Sequence, residues 1–495
     1  MLLTDELLLD YKRCRRRAFL DTYKDSSQQD SEQDFLLKLL DDSRNYKKAV
    51  ITTANYKRPS YPWRDWEAGA KATWELMQQG TERIAGAVLL TQIKGGVTLL
   101  STPDLLEIQP GQSNFGDWIY VPTNIKLGKR PKQEYKILSA FCSQILRAIQ
   151  GVWPTTAWLI LRRPNPYAVN LETSVPLMQE LVLECIDTLL QRQEPEVFIS
   201  RQKCSLCHWY SSCYAIAQQE QHISLLPGVT PRRYQDLQAL GVTTVESLAA
   251  STISTLEPAL EPEVALNLVT QAKSTVYKQA LLTPKPPDGK TNSECEQGNS
   301  PSLIVHTNNL PTAPIELYFD IEAQPDLNLD YLLGVLVVDK LNHTENFHCL
   351  LAEHPDDEVL IWKQFLALVW LYPEAPIFHF SEYEAETVKR LGSVYKTPQL
   401  HLETLLSRFV DVHKQVMNTV KLPVESYSLK HLARWLGFEW RDAEMNGSHT
   451  VCLYDQWLDT GNRSCLDIIQ RYNEDDCRAT YKLKDWLGKF LISNK

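Results

Sequence analysis

No apolar run in the sequence is long enough for a membrane span, which needs about 20 consecutive apolar residues. The start, Met1-Leu2-Leu3-Thr4-Asp5-Glu6, lacks the basic segment and long apolar core of a signal peptide. These two absences predict a cytoplasmic protein without membrane attachment. No export signal accompanies the 11 unevenly spaced cysteines, so thiols or metal ligands are expected in place of disulfides. Histidine is missing before His208, which excludes a histidine ligand from that whole stretch. A basic surplus is missing too. The net charge is −10, and the 28 acidic and 18 basic residues from Pro311 onward carry all of it. Bulk electrostatic binding of nucleic acid is therefore not expected, and any such contact must come from local basic patches.

What the chain has is length. Its 495 residues, 43% of them hydrophobic, exceed one ordinary core, and domains of about 100–200 residues predict two or three of them. Ile315-Glu316-Leu317-Tyr318-Phe319 reads as a strand, followed by Asp320-Ile321-Glu322. Carboxylates two apart on a strand share a face. Two like charges beside an apolar strand are costly unless a cation lies between them, so a metal site is one reading and a solvated strand end the other. Near the other end, Tyr472-Asn473-Glu474-Asp475-Asp476 opens a helical pattern expected over Asp475 to Phe490. Tyr472 and Asp476, four apart, share a helix face.

A strand with Asp-x-Glu and a late helix with Tyr-x-x-x-Asp resemble the DEDD exonucleases of the RNase H-like fold, in the DnaQ-type arrangement, over roughly Ile315 to Leu491. In that family a His or Tyr, Asn, two residues, Phe, Asp motif lies between. Here His379 and Tyr383-Glu384 match it, with Glu384 for the Asp and Phe380 for the Asn. The resemblance implies that Asp320, Glu322, Glu384 and Asp476 hold two Mg2+ or Mn2+ ions and that Tyr472 orients the attacking water. Hard oxygen ligands fit those ions and not zinc. Asp411 matches a further acidic position of the family. Lys430 and Arg434 read as ordinary helix-surface charge.

In the first half, helical patterns are expected over Thr4–Tyr23, Trp66–Ala85, Gln133–Gly151 and Val175–Arg192, with a strand-rich block between the second and third. The order of helix, strands and helix resembles the RecB-type nuclease fold. It looks most like bacterial RecB-like nucleases that carry a C-terminal RNase H-like domain. The resemblance places Asp104 at the family's first metal-binding Asp. Asn124-Ile125-Lys126 stands where the family has an acid, any residue, then Lys. Asn124 replaces the acid, and the family's Gln and Tyr positions read Leu138 and Cys142. An amide oxygen is a weaker ligand for a hard cation than a carboxylate, so this site is expected to be degraded.

Cys204-Ser205-Leu206-Cys207 and Cys213 form a C-x2-C-x5-C run, which points to a metal or a cluster. Closure needs a fourth ligand, and Cys14 supplies it if the first helix packs beside the run. One early and three late cysteines resemble the iron–sulfur RecB-type nucleases. That resemblance implies a [4Fe–4S] cluster, with Zn2+ in the same thiolates as the alternative. His208 would crowd Cys207 and is left out of the set. Leu226 to Leu248 reads as paired short helices resembling a helix-hairpin-helix module, which would hold a phosphate on backbone N–H groups. Thr283 to Asn309 has linker composition.

The sequence thus predicts an α/β multidomain chain: a RecB-like domain over 1–220, a helical module over 221–282, a linker over 283–310 and an RNase H-like domain over 311–495. The predicted function is metal-dependent 3′–5′ exonuclease action on single-stranded DNA or RNA, in the setting of DNA repair. The alternative is a non-catalytic nucleic-acid-binding adaptor built on nuclease folds.

Overall fold

The strand expected at Ile315–Phe319 runs on to Gln324 in the computed structural model of the chain, which describes residues 1–93, 95–284 and 310–494. The expected linker therefore lies, from 285 to 309, outside the described residues, as does Cys295. We label this strand β1. With β2 (Leu329–Asp339), β3 (Thr344–Leu351), β4 (Ile377–His379) and β5 (Phe409–Asp411) it forms one mixed sheet in the order β3-β2-β1-β4-β5. β1 is antiparallel to β2 and parallel to β4, and β4 is parallel to β5. Both faces are covered, so Leu332 to Val338 is buried without interruption.

Alternation along β1 decides where the chemistry faces. Leu317, Phe319 and Ile321 pack with Ile361, Trp362 and Phe365 of the helix Glu358–Trp370. The Phe319 and Phe365 ring centroids are 4.7 Å apart. The opposite face carries Tyr318, which packs with Phe378, Leu483 and Leu487. Asp320 and Glu322 share that second face, toward the helix Arg463–Ser493. A register shift between Glu322 and Ala323 bends β1 just past the second carboxylate.

That helix differs from expectation. It begins at Arg463, not near Asp475, and runs 31 residues. Gly461, at φ 68°, ends the preceding helix Gly447–Thr460, and Asn462 caps the next one by accepting from Ser464 N. Leu466, Ile469, Tyr472, Asn473, Asp476, Ala479, Leu483 and Leu487 make its buried stripe at three- and four-residue spacing. The polar run Tyr472–Asp476 mimics a helix start in the sequence. In the fold it is mid-helix and faces the sheet.

The chain divides into two compact units, Met1–Ile216 and Ala217–Lys495. The second unit begins with helices Pro231–Ala239, Val245–Ala250 and Pro262–Tyr277. The last of these is tied to the segment that follows β5 by buried side chains. Gln271 donates to Leu422 O at 2.7 Å and accepts from the Tyr427 hydroxyl at 2.7 Å. Leu281–Leu282 then pairs antiparallel with Val420–Lys421.

The first unit holds a five-stranded sheet, Arg83–Ala85, Leu105–Ser113, Gly116–Ile125, Ala157–Ile160 and Tyr167–Val169 in that spatial order. The helix Gln133–Gln150 packs on it through Ile137, Phe141 and Ile145. The single helix expected over Thr4–Tyr23 is two, Asp5–Arg13 and Arg15–Tyr23, because Cys14 adopts an extended conformation and caps the second with its sulfur. The helix expected over Trp66–Ala85 stops at Gln78, and Arg83–Ala85 joins the sheet. No helix among the described residues is long and apolar enough to cross a membrane.

Candidate metal centre

Asp320, Glu322 and Asp476 each offer an oxygen within 4.8 Å of the other two. β1 supplies two and the long helix the third. Glu322 and Asp476 are buried, and Asp320 keeps some exposure, so the group opens toward solvent on one side. Each carboxylate is held by a neutral donor. Asn473 Nδ2 donates to Asp320 Oδ2 at 2.7 Å. Thr450 Oγ1 donates to Glu322 Oε2 at 2.7 Å, and Trp440 Nε1 donates to Asp476 Oδ1 at 2.7 Å. These donors fix one oxygen of each acid without cancelling its charge.

The result is electrostatic frustration. Burial, then the charges of Asp476, Glu322 and Glu384, holds the Asp320 carboxyl well above the usual carboxylate range. Burial and the Asp476 charge push Glu322 up to about 8, against the hydrogen bonds from Thr450 and Asn473. Burial pushes Asp476 to about 7, although Trp440, Tyr472 and the Lys430 charge oppose the rise. Three crowded carboxylates with neutral partners are a fitting donor set for a hard divalent cation, whose charge would offset the crowding.

Without a cation the folded chain binds protons at these groups more tightly than the unfolded chain, where carboxyls titrate near about 4. The stability they contribute is complete below that value and is lost as pH rises through 7 and 8. In EDTA the second unit should therefore melt at lower temperature at pH 8.5 than at pH 6. Mn2+ should narrow the gap, as calorimetric melting at both pH values would show.

Glu384 is close enough to raise the Asp320 pKa but lies outside the three-carboxylate group. Its Oε2 accepts from Ser381 Oγ at 2.9 Å and lies 3.5 Å from His379 Nδ1. The helix that carries it is anchored behind the site. Tyr383 donates its hydroxyl to Asp330 at 2.8 Å, and Arg390 bridges Asp330 and Glu358. Tyr472 is buried and hydrogen-bonded to Asp476, and burial with the three acid charges drives its phenol pKa far up, so it stays neutral. Asp411 is a helix cap, accepting from Lys414 N at 2.9 Å.

Lys430 is more than surface charge. Its ammonium lies 5.4 Å from the ring centres of both Trp440 and Tyr472 and donates to Met445 O. It is the cation whose charge Asp476 feels. Arg434 donates to Ala443 O at 3.2 Å.

Gly334 stands directly across from Asp320 in the sheet register. A Cβ there would lie 1.7 Å from Asn473 Oδ1 and 2.9 Å from its Cγ. Glycine is thus what lets the Asn473 amide reach Asp320. Gly334→Ala should force Asn473 off the carboxylate and weaken metal affinity about 10–100-fold, the usual cost of losing an outer-shell partner. A Mn2+ titration of the folded variant checks this.

In the first unit, Cys14 faces the late cysteine run. Arg17 N donates to Cys14 Sγ at 3.4 Å and Ser200 N to Cys204 Sγ at 3.4 Å. Trp209 N–H serves Cys207, and the Arg16 guanidinium favours the Cys213 thiolate. Burial raises the thiol pKa of Cys204, Cys207 and Cys213, that of Cys207 to about 11. The Cys14 charge adds to the rise at all three. His208 is engaged elsewhere, with Asp21 Oδ1 2.6 Å from its Nε2.

Asp104, Asn124 and Lys126 also converge, at the start of Leu105–Ser113 and the end of its neighbour Gly116–Ile125. They do not form a metal cage. Asp104 Oδ2 accepts from Ile125 N at 2.7 Å, Oδ1 lies 2.8 Å from Lys47 Nζ, and Asn124 Nδ2 donates to Ser139 Oγ at 3.2 Å.

Sequence reasoning missed Asn473, Thr450, Trp440, Gly334 and Lys47. Asn473 sits inside the motif and carries that much signal. The other four come from segments whose approach only the fold decides.

A five-stranded sheet of order β3-β2-β1-β4-β5, with carboxylates on the central strand facing a C-terminal helix, defines an RNase H-like domain. Residues 317–488 match the RNase_H_2 family model of the RNase_H superfamily. No curated protein matches the chain.

Proposed function

We propose that the RNase H-like domain is a divalent-metal-dependent 3′–5′ exonuclease acting on single-stranded DNA or RNA. The convergence of Asp320, Glu322 and Asp476, held only by neutral donors, carries this reading. When bound there, a pair of Mg2+ or Mn2+ ions would activate water and stabilise the leaving oxygen of a phosphodiester. Asp320, Glu322 and Asp476 would hold the ions, and Glu384 would complete the set if it turned from Ser381. Tyr472, neutral and on the Asp476 helix face, positions the attacking water by hydrogen bonding.

Residues 1–220, which contain the first unit, are in this reading a RecB-like domain, followed by a helix-hairpin-helix-like module over 221–282. Cys14, Cys204, Cys207 and Cys213 would hold a [4Fe–4S] cluster, with zinc as the alternative. The backbone N–H donors at Cys14, Cys204 and Cys207 support bound thiolates. Single-stranded DNA and RNA labelled at either end, incubated with Mn2+, test the exonuclease reading. A ladder shortening from the 3′ end on one polymer supports it. Binding without cleavage of either polymer would make the protein a nucleic-acid-binding adaptor.

A further inference from the structure

The helix Asp34–Ile51 sends Lys47 into the place where Asp104, Asn124 and Lys126 meet. Lys47 Nζ is 2.8 Å from Asp104 Oδ1, and the carboxylate side chain is only 11% exposed. The other oxygen of Asp104 accepts from Ile125 N at 2.7 Å. Nearby acids are equally committed. Asp5 Oδ2 accepts from Thr102 N at 3.0 Å and from Ser101 Oγ at 3.3 Å. Glu134 is paired with Arg13 at 2.8 Å. Asn124 turns its amide nitrogen to Ser139, which is fully buried. A hard divalent cation needs several oxygen ligands, with carboxylates the strongest. This donor set does not fit one.

We infer that the N-terminal site takes no divalent cation and that the Lys47 ammonium is its permanent counter-charge, clamping the helix Asp34–Ile51 to the sheet. The ammonium satisfies Asp104 as a metal would, with a single charge and three donors in place of an open coordination sphere. It cannot activate a water or polarise a phosphate oxygen as a metal can. Burial lowers the Lys126 pKa, with the Asp104 charge opposing the fall and the Lys47 charge adding to it. Any phosphodiester cleavage by this chain then has one metal centre, in the second unit. This inference goes beyond the proposed exonuclease and does not depend on it.

Equilibrium dialysis of the full chain against Mn2+ tests it. The parent for the test is Asp320→Asn/Asp476→Asn, which removes two of the three clustered C-terminal carboxylates, so failure of the exonuclease reading is scored separately. With Lys47 intact this parent should bind no Mn2+. Adding Lys47→Ala and Asn124→Asp frees Asp104 and gives it an acidic partner. That variant should gain one Mn2+ per chain and lose it again on Asp104→Ala. Far-UV circular dichroism confirms folding of each protein. Asp104-dependent Mn2+ binding by the parent overturns the inference. So does a folded Lys47→Ala/Asn124→Asp variant that gains no ion, since Lys47 would then not be what fills the cation's position. If that variant does not fold, the parent's binding alone decides.

Discussion

Asp476→Asn should lower Mn2+-dependent cleavage by about a thousandfold or more, because a metal supplies several kcal/mol of transition-state charge stabilisation and each ~1.4 kcal/mol is tenfold in rate. The substitution is nearly isosteric. The new amide oxygen can still accept from Trp440 Nε1, which leaves its NH2 group on the side of the ion. A donor there repels a cation that the carboxylate attracted. The same change removes one of three crowded charges. The metal-free variant should therefore melt higher than wild type at pH 8.5, so activity and stability move in opposite directions. Cleavage undiminished in a folded Asp476→Asn protein would place the chemistry elsewhere.

Cys14→Ser should have the larger effect on stability. In the proposed cluster, three thiolates from the Cys204–Cys213 run would leave a cubane open at its fourth iron, and Cys14, 190 positions before Cys204, would supply the missing ligand. Protein purified without oxygen should be brown, carry about four irons per chain, and lose both colour and iron in the variant. Loss of the proposed cluster would free the two ends of the first unit. A disulfide closing a loop of comparable length contributes about 4–5 kcal/mol, which sets the scale of the expected loss. The second unit should melt as before. A colourless wild type with a single zinc would replace iron with zinc and keep the clamp. Colour retained in Cys14→Ser would remove Cys14 from the ligand set.

The sequence made the acids of the C-terminal site legible because their spacing is local. Asp320 and Glu322 two apart on a strand, and Tyr472 and Asp476 four apart on a helix, announce a shared face before any tertiary contact is known. The extent of the helix was not legible. Buried polar residues interrupt its apolar stripe at Tyr472 and Asn473, and the true start is signalled by Gly461 and Asn462, eleven and ten residues before Tyr472. Partners of the carboxylates were hidden for a different reason. Trp440 and Thr450 reach Asp476 and Glu322 across 36 and 128 residues of chain, and no local period encodes such contacts. Lys47 was hidden likewise, since a lysine on a polar helix face reads as solvated until the sheet is placed against it. Gly334 shows the limit most plainly: its lack of a side chain matters only because Asn473 arrives from the long helix.

Calorimetric titration of Mn2+ into the metal-free chain at pH 7, in two buffers of different ionisation enthalpy, tests the metal centre most directly. Glu322 and Asp476, with pKa values raised to about 8 and about 7, and Asp320, held well above the usual carboxylate range by burial and the neighbouring acids, hold protons that an entering cation must expel. Binding accompanied by proton release is expected in wild type, and neither in Asp320→Asn/Asp476→Asn. Mn2+ binding of equal strength in that variant, or binding in wild type with no proton released, would contradict the metal-centre reading.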